Sequence, residues 1–114
     1  MSAPAIQQLA PGFSVAAQLD PAALAWVAQA GFKSVINNRP DFEGGPDQPT
    51  SAAMQAAALA AGLQYAFLPV EPALQTPHEI ERFAELLLKL PKPVLAFCRS
   101  GTRSGKLYNA VSGR

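Results

Sequence analysis

The sequence predicts an α/β fold, a mostly parallel sheet with helices on both faces. Two observations carry this. Short apolar or β-branched runs alternate along the chain with longer amphipathic stretches, the order expected of strand–helix–strand units. Several of the short runs are also apolar throughout rather than at every second position, as in strands covered on both sides.

Residues 12–17, Gly-Phe-Ser-Val-Ala-Ala, read as the first strand. Asp20 then offers an N-cap, with Pro21 at the first helical position. Leu24, Val27 and Ala28 form an apolar stripe, Trp26 is expected to pack in the core, and Gly31 ends the helix in a left-handed cap. Residues 33–37, centred on Val35 and Ile36, are short and β-branched and read as a buried strand. Residues 40–49 hold three prolines and two glycines, which can extend neither a helix nor a strand, and predict a loop. Thr50 or Ser51 caps an alanine-rich helix that stops at Gly62, and residues 64–70 form the next strand. After a loop over residues 71–75, Thr76 and Glu79 form a capping box with Pro77 at the first helical position. Ile80, Phe83, Ala84, Leu87 and Leu90 share one face of that helix, opposite Glu81, Arg82, Glu85 and Lys89. Pro91-Lys92-Pro93 stops it, residues 94–97 form a last buried strand, and residues 106–111 suggest a final helix. The expected order is β-α-β-α-β-α-β-loop-α.

At 114 residues, with 49% hydrophobic and 15% charged residues, the chain is expected to form one domain, 1–114, around one core. A formal charge of +1 gives no basic field for nucleic acid or anionic lipid, so neither partner is expected. The longest apolar stretch falls short of the ~20 residues of a membrane span, and the N-terminus lacks the basic start and apolar core of a secretion signal. A cytoplasmic location is the expectation. No cluster has metal-ligand spacing and no dinucleotide fingerprint is present, so no metal or other cofactor is expected.

One cysteine cannot form an internal disulfide, so Cys98 is either an inert buried thiol or a residue used for its reactivity. Its surroundings favour reactivity. Residues 98–104, Cys-Arg-Ser-Gly-Thr-Arg-Ser, join a buried strand to a helix, where backbone N–H groups and the helix dipole attract an anion. Arg99, Ser100, Gly101, Thr102 and Arg103 form the expected anion cradle. Gly101 permits close backbone approach, Arg103 supplies a planar fork for two oxygens, and Ser104 can hydrogen-bond the thiolate. The same field lowers the cysteine pKa. Gly-Thr-Arg-Ser-Gly-Lys does not make a nucleotide-binding loop, because Ser100 and Leu107 stand where that motif needs glycine and a hydroxyl residue.

Three segments resemble the beta-lactamase-hydrolase-like protein, phosphatase-like domain family, small bacterial relatives of the dual-specificity phosphatases. They are Ser-Val-Ile-Asn-Asn-Arg-Pro-Asp at 34–41, the run 65–70, and Phe-Cys-Arg-Ser-Gly-Thr-Arg-Ser at 97–104. The resemblance implies a cysteine-phosphatase-like fold and a phosphate monoester hydrolase with Cys98 as nucleophile. It also implies an acidic loop near Glu71, which makes Glu71 the candidate proton donor. Cysteine phosphatases place five residues between Cys and Arg, whereas Cys98 and Arg103 enclose four, the spacing of rhodaneses. Two alternatives therefore stand beside the phosphatase: a sulfurtransferase carrying a Cys98 persulfide, and a non-catalytic oxyanion-binding module. The expected partner is a small anion, either a phosphate ester or a sulfane-sulfur donor. The chain ends soon after the loop, where such phosphatases continue with further helices, and this leaves a homodimer open.

Lesser candidates are Asp41 as an alternative acid, Arg39 as an added positive charge or a partner for a nearby carboxylate, and His78 as a base for the cysteine. His78 falls on the charged face of its helix and reads as solvated.

Overall fold

The computed structural model describes residues 4–73 and 75–113; residues 1–3 and 114 of the expected domain, and residue 74 of the expected 71–75 loop, lie outside them. The elements are β1 (Ile6–Ala10), β2 (Phe13–Ala16), α1 (Ala23–Gln29), β3 (Ser34–Asn37), α2 (Ser51–Ala60), β4 (Gln64–Phe67), α3 (Pro77–Lys89), β5 (Val94–Phe97) and α4 (Thr102–Ser112). They form one five-stranded sheet in the order β1-β2-β5-β3-β4, parallel except for the β1–β2 hairpin.

Side chains alternate cleanly across the sheet. Val35, Leu95, Phe97 and Ala16 face α1 and α2, where they pack with Leu24, Val27, Met54 and Ala58. Ile36, Val94, Ala96, Phe13 and Val15 face the other way, against Phe83 of α3 and Leu107 of α4. β5 is central and all four of its side chains are fully buried. The register pairs Val35 with Leu95 and Ile36 with Ala96, so each core receives one residue from each strand at every level.

This topology decides where a ligand can sit. The chain leaves β2 and β3 toward α1 and α2 on one face, but leaves β5 toward α4 on the other. Between connections that part to opposite faces a crevice opens beyond the strand carboxyl ends. Cys98 follows β5 directly at that edge.

Four sequence expectations need correction. β1 was not expected: with polar Gln7 and Gln8 on an edge strand it lacks a continuous apolar run, yet Pro11-Gly12, with Gly12 at φ 82°, turns it back onto β2. Asp20 does not cap α1. Its carbonyl, and that of Pro21, accept from the N–H groups of Ala23 and Leu24 at 2.9 and 3.2 Å in a turn, and α1 begins two residues later than that cap implies, after Ala22. Trp26 is not core but 39% exposed, because the seven-residue helix buries only Ala23, Leu24 and Val27. α4 begins at Thr102 rather than 106, which puts Arg103 and Ser104 in its first turn. The capping box of α3 forms as expected, Thr76 Oγ1 accepting from Glu79 N–H while Glu79 accepts from Thr76 N–H.

Phe83 is fully buried and meets Phe13 edge-on with ring centroids 5.9 Å apart. Phe83→Ala is expected to lower unfolding free energy in urea by about 3–5 kcal/mol.

Candidate active site

The site is built on the turn from β5 into α4. Gly101, at φ 92°, reverses the chain and lies against β2, where an added methyl would stand 3.4 Å from the carbonyl carbon and oxygen of Ala16. Two further bonds tie the turn to the end of β2: Cys98 N–H to Ala16 O at 3.4 Å and Gln18 N–H to Arg99 O at 3.3 Å. Ser100 Oγ bonds Thr102 Oγ1 at 3.1 Å and accepts from Thr102 N–H at 3.5 Å, which holds the exposed side of the turn.

Cys98 is 1% exposed, and Gly101 N–H points at its sulfur from 3.1 Å. Burial pushes the thiol pKa up. The N–H groups of Ser104, Ser100 and Gly101, together with the Ser104 hydroxyl, outweigh burial and hold the pKa below its ordinary value. The Ser104 hydroxyl also reaches Asn38 Oδ1 at 2.8 Å, and its one proton can serve only one of these acceptors at a time.

Arg103 is 7% exposed and heavily engaged. Its Nη1 donates to Glu43 Oε2 at 3.0 Å and to Val70 O at 2.9 Å, and its Nη2 donates to Glu43 Oε1 at 3.1 Å. The end-on edge of the guanidinium is therefore spent on an internal carboxylate. Nε–H and the second Nη2–H have no partner among the described residues, so the side-on edge remains for an anion. Arg39 joins the same carboxylate, Nε to Glu43 Oε1 at 2.9 Å, and donates through Nη1 to Gln18 Oε1 at 3.2 Å. Burial raises the Glu43 pKa, but hydrogen bonds and attraction from Arg103 and Arg39 bring it below the ordinary value. Glu43 reaches this position because Phe42 adopts φ 62°, a conformation that costs a non-glycine residue about 1–2 kcal/mol.

A cavity of about 280 Å³ opens over the turn, lined by Cys98, Arg99, Ser100, Thr102, Arg103 and Lys106, with Pro72 opposite. Thus Cys98, Arg99, Ser100, Thr102 and Arg103 come together on the wall of this cavity. Glu71 is exposed and is not on the cavity wall; its neighbour Pro72 is. Asp41 instead accepts from Ser51 N–H at 2.7 Å at the start of α2. His78 is exposed on the first turn of α3 and lines neither this cavity nor the one beside Glu43. Among the described residues no group of three or more His, Cys, Asp or Glu could hold a metal ion, and no helix is long and apolar enough to cross a membrane.

Sequence reasoning missed Glu43 and Asn38. Glu43 sits in a proline- and glycine-rich loop and carries no periodic signal. Asn38, fully buried beside a strand end, was a detectable oddity, because a buried amide must find partners.

The family model for "beta-lactamase hydrolase-like protein, phosphatase-like domain" matches residues 5–113. The chain belongs to this family. A beta-lactamase hydrolase-like protein of Agrobacterium fabrum is 42% identical over 87 residues, which are 74% of this chain and 20% of that protein. The chain thus spans about a fifth of the length of this relative. The crystal structure of a candidate phosphatase from Neisseria meningitidis is 35% identical, with a TM-score of 0.83 over 90% of this chain and 72% of that one. The catalytic core of Siw14, a PP-IP phosphatase of S. cerevisiae, shares the fold at 14% identity, with a TM-score of 0.76 over 98% of this chain and 67% of that one. The α/β, cysteine-phosphatase-like fold expected from sequence is therefore the one observed.

Two measurements follow from this electrostatic arrangement. Alkylation of Cys98 by iodoacetamide should titrate with a midpoint below the ~8.5 of a free cysteine. Ser104→Ala should move the midpoint upward without reaching that value, since the loop amides remain. Glu43, with its folded pKa lowered, stabilises the native state above the unfolded carboxyl pKa of ~4.3, and this is lost as pH falls through the lower folded value. The difference in Tm between wild type and Glu43→Gln should accordingly be greatest near neutral pH and shrink below pH ~4.

Proposed function

We propose that this phosphatase-like domain hydrolyses phosphate monoesters through a covalent Cys98 intermediate. The observation that carries this is the buried Cys98 sulfur ringed by loop N–H groups, beside the unspent side-on edge of Arg103. N–H groups that favour a thiolate also favour the equatorial oxygens of a phosphoryl group in transfer. The thiolate attacks phosphorus; an S–P bond forms as the P–O bond to the leaving group breaks. In this reading Glu71, which adjoins Pro72 of the cavity wall, gives the departing alkoxide its proton. Water then attacks the phosphocysteine, returning its proton to the Glu71 carboxylate and releasing phosphate and thiolate. Glu43 is unsuited to the acid role, because its pKa is lowered by two arginines and it stays ionised.

One observation favours a second reading. Among the described residues the wall of the cavity carries no carboxyl group, and sulfur transfer needs none, because sulfite leaves thiosulfate as a stable anion. In that reading the Cys98 thiolate attacks the outer sulfur of thiosulfate, an S–S bond forms, and sulfite departs with the electrons of the broken bond. The spacing of four residues between Cys98 and Arg103 agrees with it.

Parallel assays separate the two. For phosphoryl transfer, Glu71→Gln should reduce hydrolysis of an alkyl phosphate by roughly 10²-fold or more while affecting an activated aryl phosphate far less, and Cys98→Ser should abolish both. For sulfur transfer, Glu71→Gln should leave thiosulfate turnover unchanged, and intact mass should show Cys98 gaining one sulfur. Loss of neither activity in Cys98→Ser would overturn both readings.

A further inference from the structure

Beside the cavity over Cys98 lies a second one of about 490 Å³, which Cys98 does not line. Its walls carry the guanidinium groups of Arg39, Arg99 and Arg103 against one carboxylate, Glu43. Arg39 and Arg103 share that carboxylate, so the three cations meet a single compensating charge. The Arg99 side chain is exposed and makes no hydrogen bond or ion pair among the described residues. Gly44 keeps the wall open: a methyl there would stand 2.7 Å from Arg39 Nη2 and 3.2 Å from Gln48 Oε1. The two cavities share Arg99, Arg103 and Pro72, so a molecule in one borders the other.

We propose that this second cavity is a subsite for another anionic group of the same ligand, and that the domain selects anions with two phosphate-type groups over those with one. The proposal rests on the anion-binding reading of the Cys98 loop and adds the class of ligand to it. A lone phosphate over Cys98 meets the loop amides and the side-on edge of Arg103, while the excess charge of Arg39 and Arg99 stays unanswered. A second anionic group reaching past Pro72 meets it, and hydrogen bonds to charged groups are the stronger ones. Arg99, on the wall common to both cavities, bridges the two groups.

The test uses protection of Cys98 rather than turnover. Wild-type protein is alkylated with iodoacetamide at constant ionic strength in the presence of inorganic phosphate or pyrophosphate, and labelling is read by intact mass. Pyrophosphate is expected to give half-protection at a concentration about tenfold lower than phosphate, the effect of one further charge-assisted hydrogen bond. Arg99→Ala should bring that ratio to about two, and Arg99→Lys should retain more of it. Lys33→Ala removes the same charge just before the amino end of β3, at the opposite edge of the sheet, and should keep the full ratio. A wild-type ratio near one, a ratio that survives Arg99→Ala, or an equal fall in Lys33→Ala overturns the subsite while leaving the loop as an anion site. Protection by neither anion overturns the loop reading itself, and the subsite with it.

Discussion

The buried amide of Asn38 is the contact on which the geometry of the site depends. Its N–H bonds Phe97 O at 2.8 Å, its carbonyl accepts from Val70 N–H at 3.1 Å, its Nδ2 donates to Leu68 O at 3.0 Å, and its Oδ1 accepts from Ser104. One residue thus joins the end of β3 to the end of β5, the segment after β4 and the first turn of α4. Each of these segments contributes to the cavity or to its supports. A buried amide whose polar atoms each have a partner holds one arrangement, because any shift of one segment leaves a polar group unpaired at a cost of about 1–3 kcal/mol.

Charge is organised in layers around that anchor. The thiolate is favoured mainly by backbone N–H groups, whose positions are set by the turn at Gly101 and by the start of α4. Arg103 stands behind them, held on its end-on edge by Glu43 and through its other Nη1–H by Val70 O. The bidentate pair is largely buried, with side-chain exposures of 7% and 20%, so its geometry is set by hydrogen bonds rather than by a mobile surface contact. Holding one edge of a planar guanidinium orients the other, which is how Glu43 can aim Arg103 without touching a ligand itself.

The loop over residues 40–49 is the least regular part of the molecule, yet its bonds are specific. Gln48 Nε2 donates to Pro40 O at 2.9 Å, and Gln48 Oε1 accepts from Gly44 N–H at 2.7 Å, closing the loop on itself. Asp41 accepts from Ser51 N–H at the start of α2. These contacts, with the left-handed backbone at Phe42, deliver Glu43 to Arg39 and Arg103.

The sequence by itself determined the elements that rest on local chemistry: the buried strands around Val35 and Leu95, the capping box at Thr76, the stop at Gly62, and the strand-to-helix turn that makes Cys98 and Arg103 neighbours. Caps, turns and apolar periodicity act within a few residues, so they can be read in order along the chain. The hairpin strand β1, the exposure of Trp26 and the true start of α1 were decided by which face met the sheet, and a short edge strand or a seven-residue helix carries too little pattern to announce that. Only the tertiary structure decided that Glu43, sixty residues from Arg103, takes one edge of its fork, and that Ser104 meets Asn38 across sixty-six. Partners so far apart are brought together by the strand order, which places β3 beside β5, and no local preference of either residue encodes that adjacency.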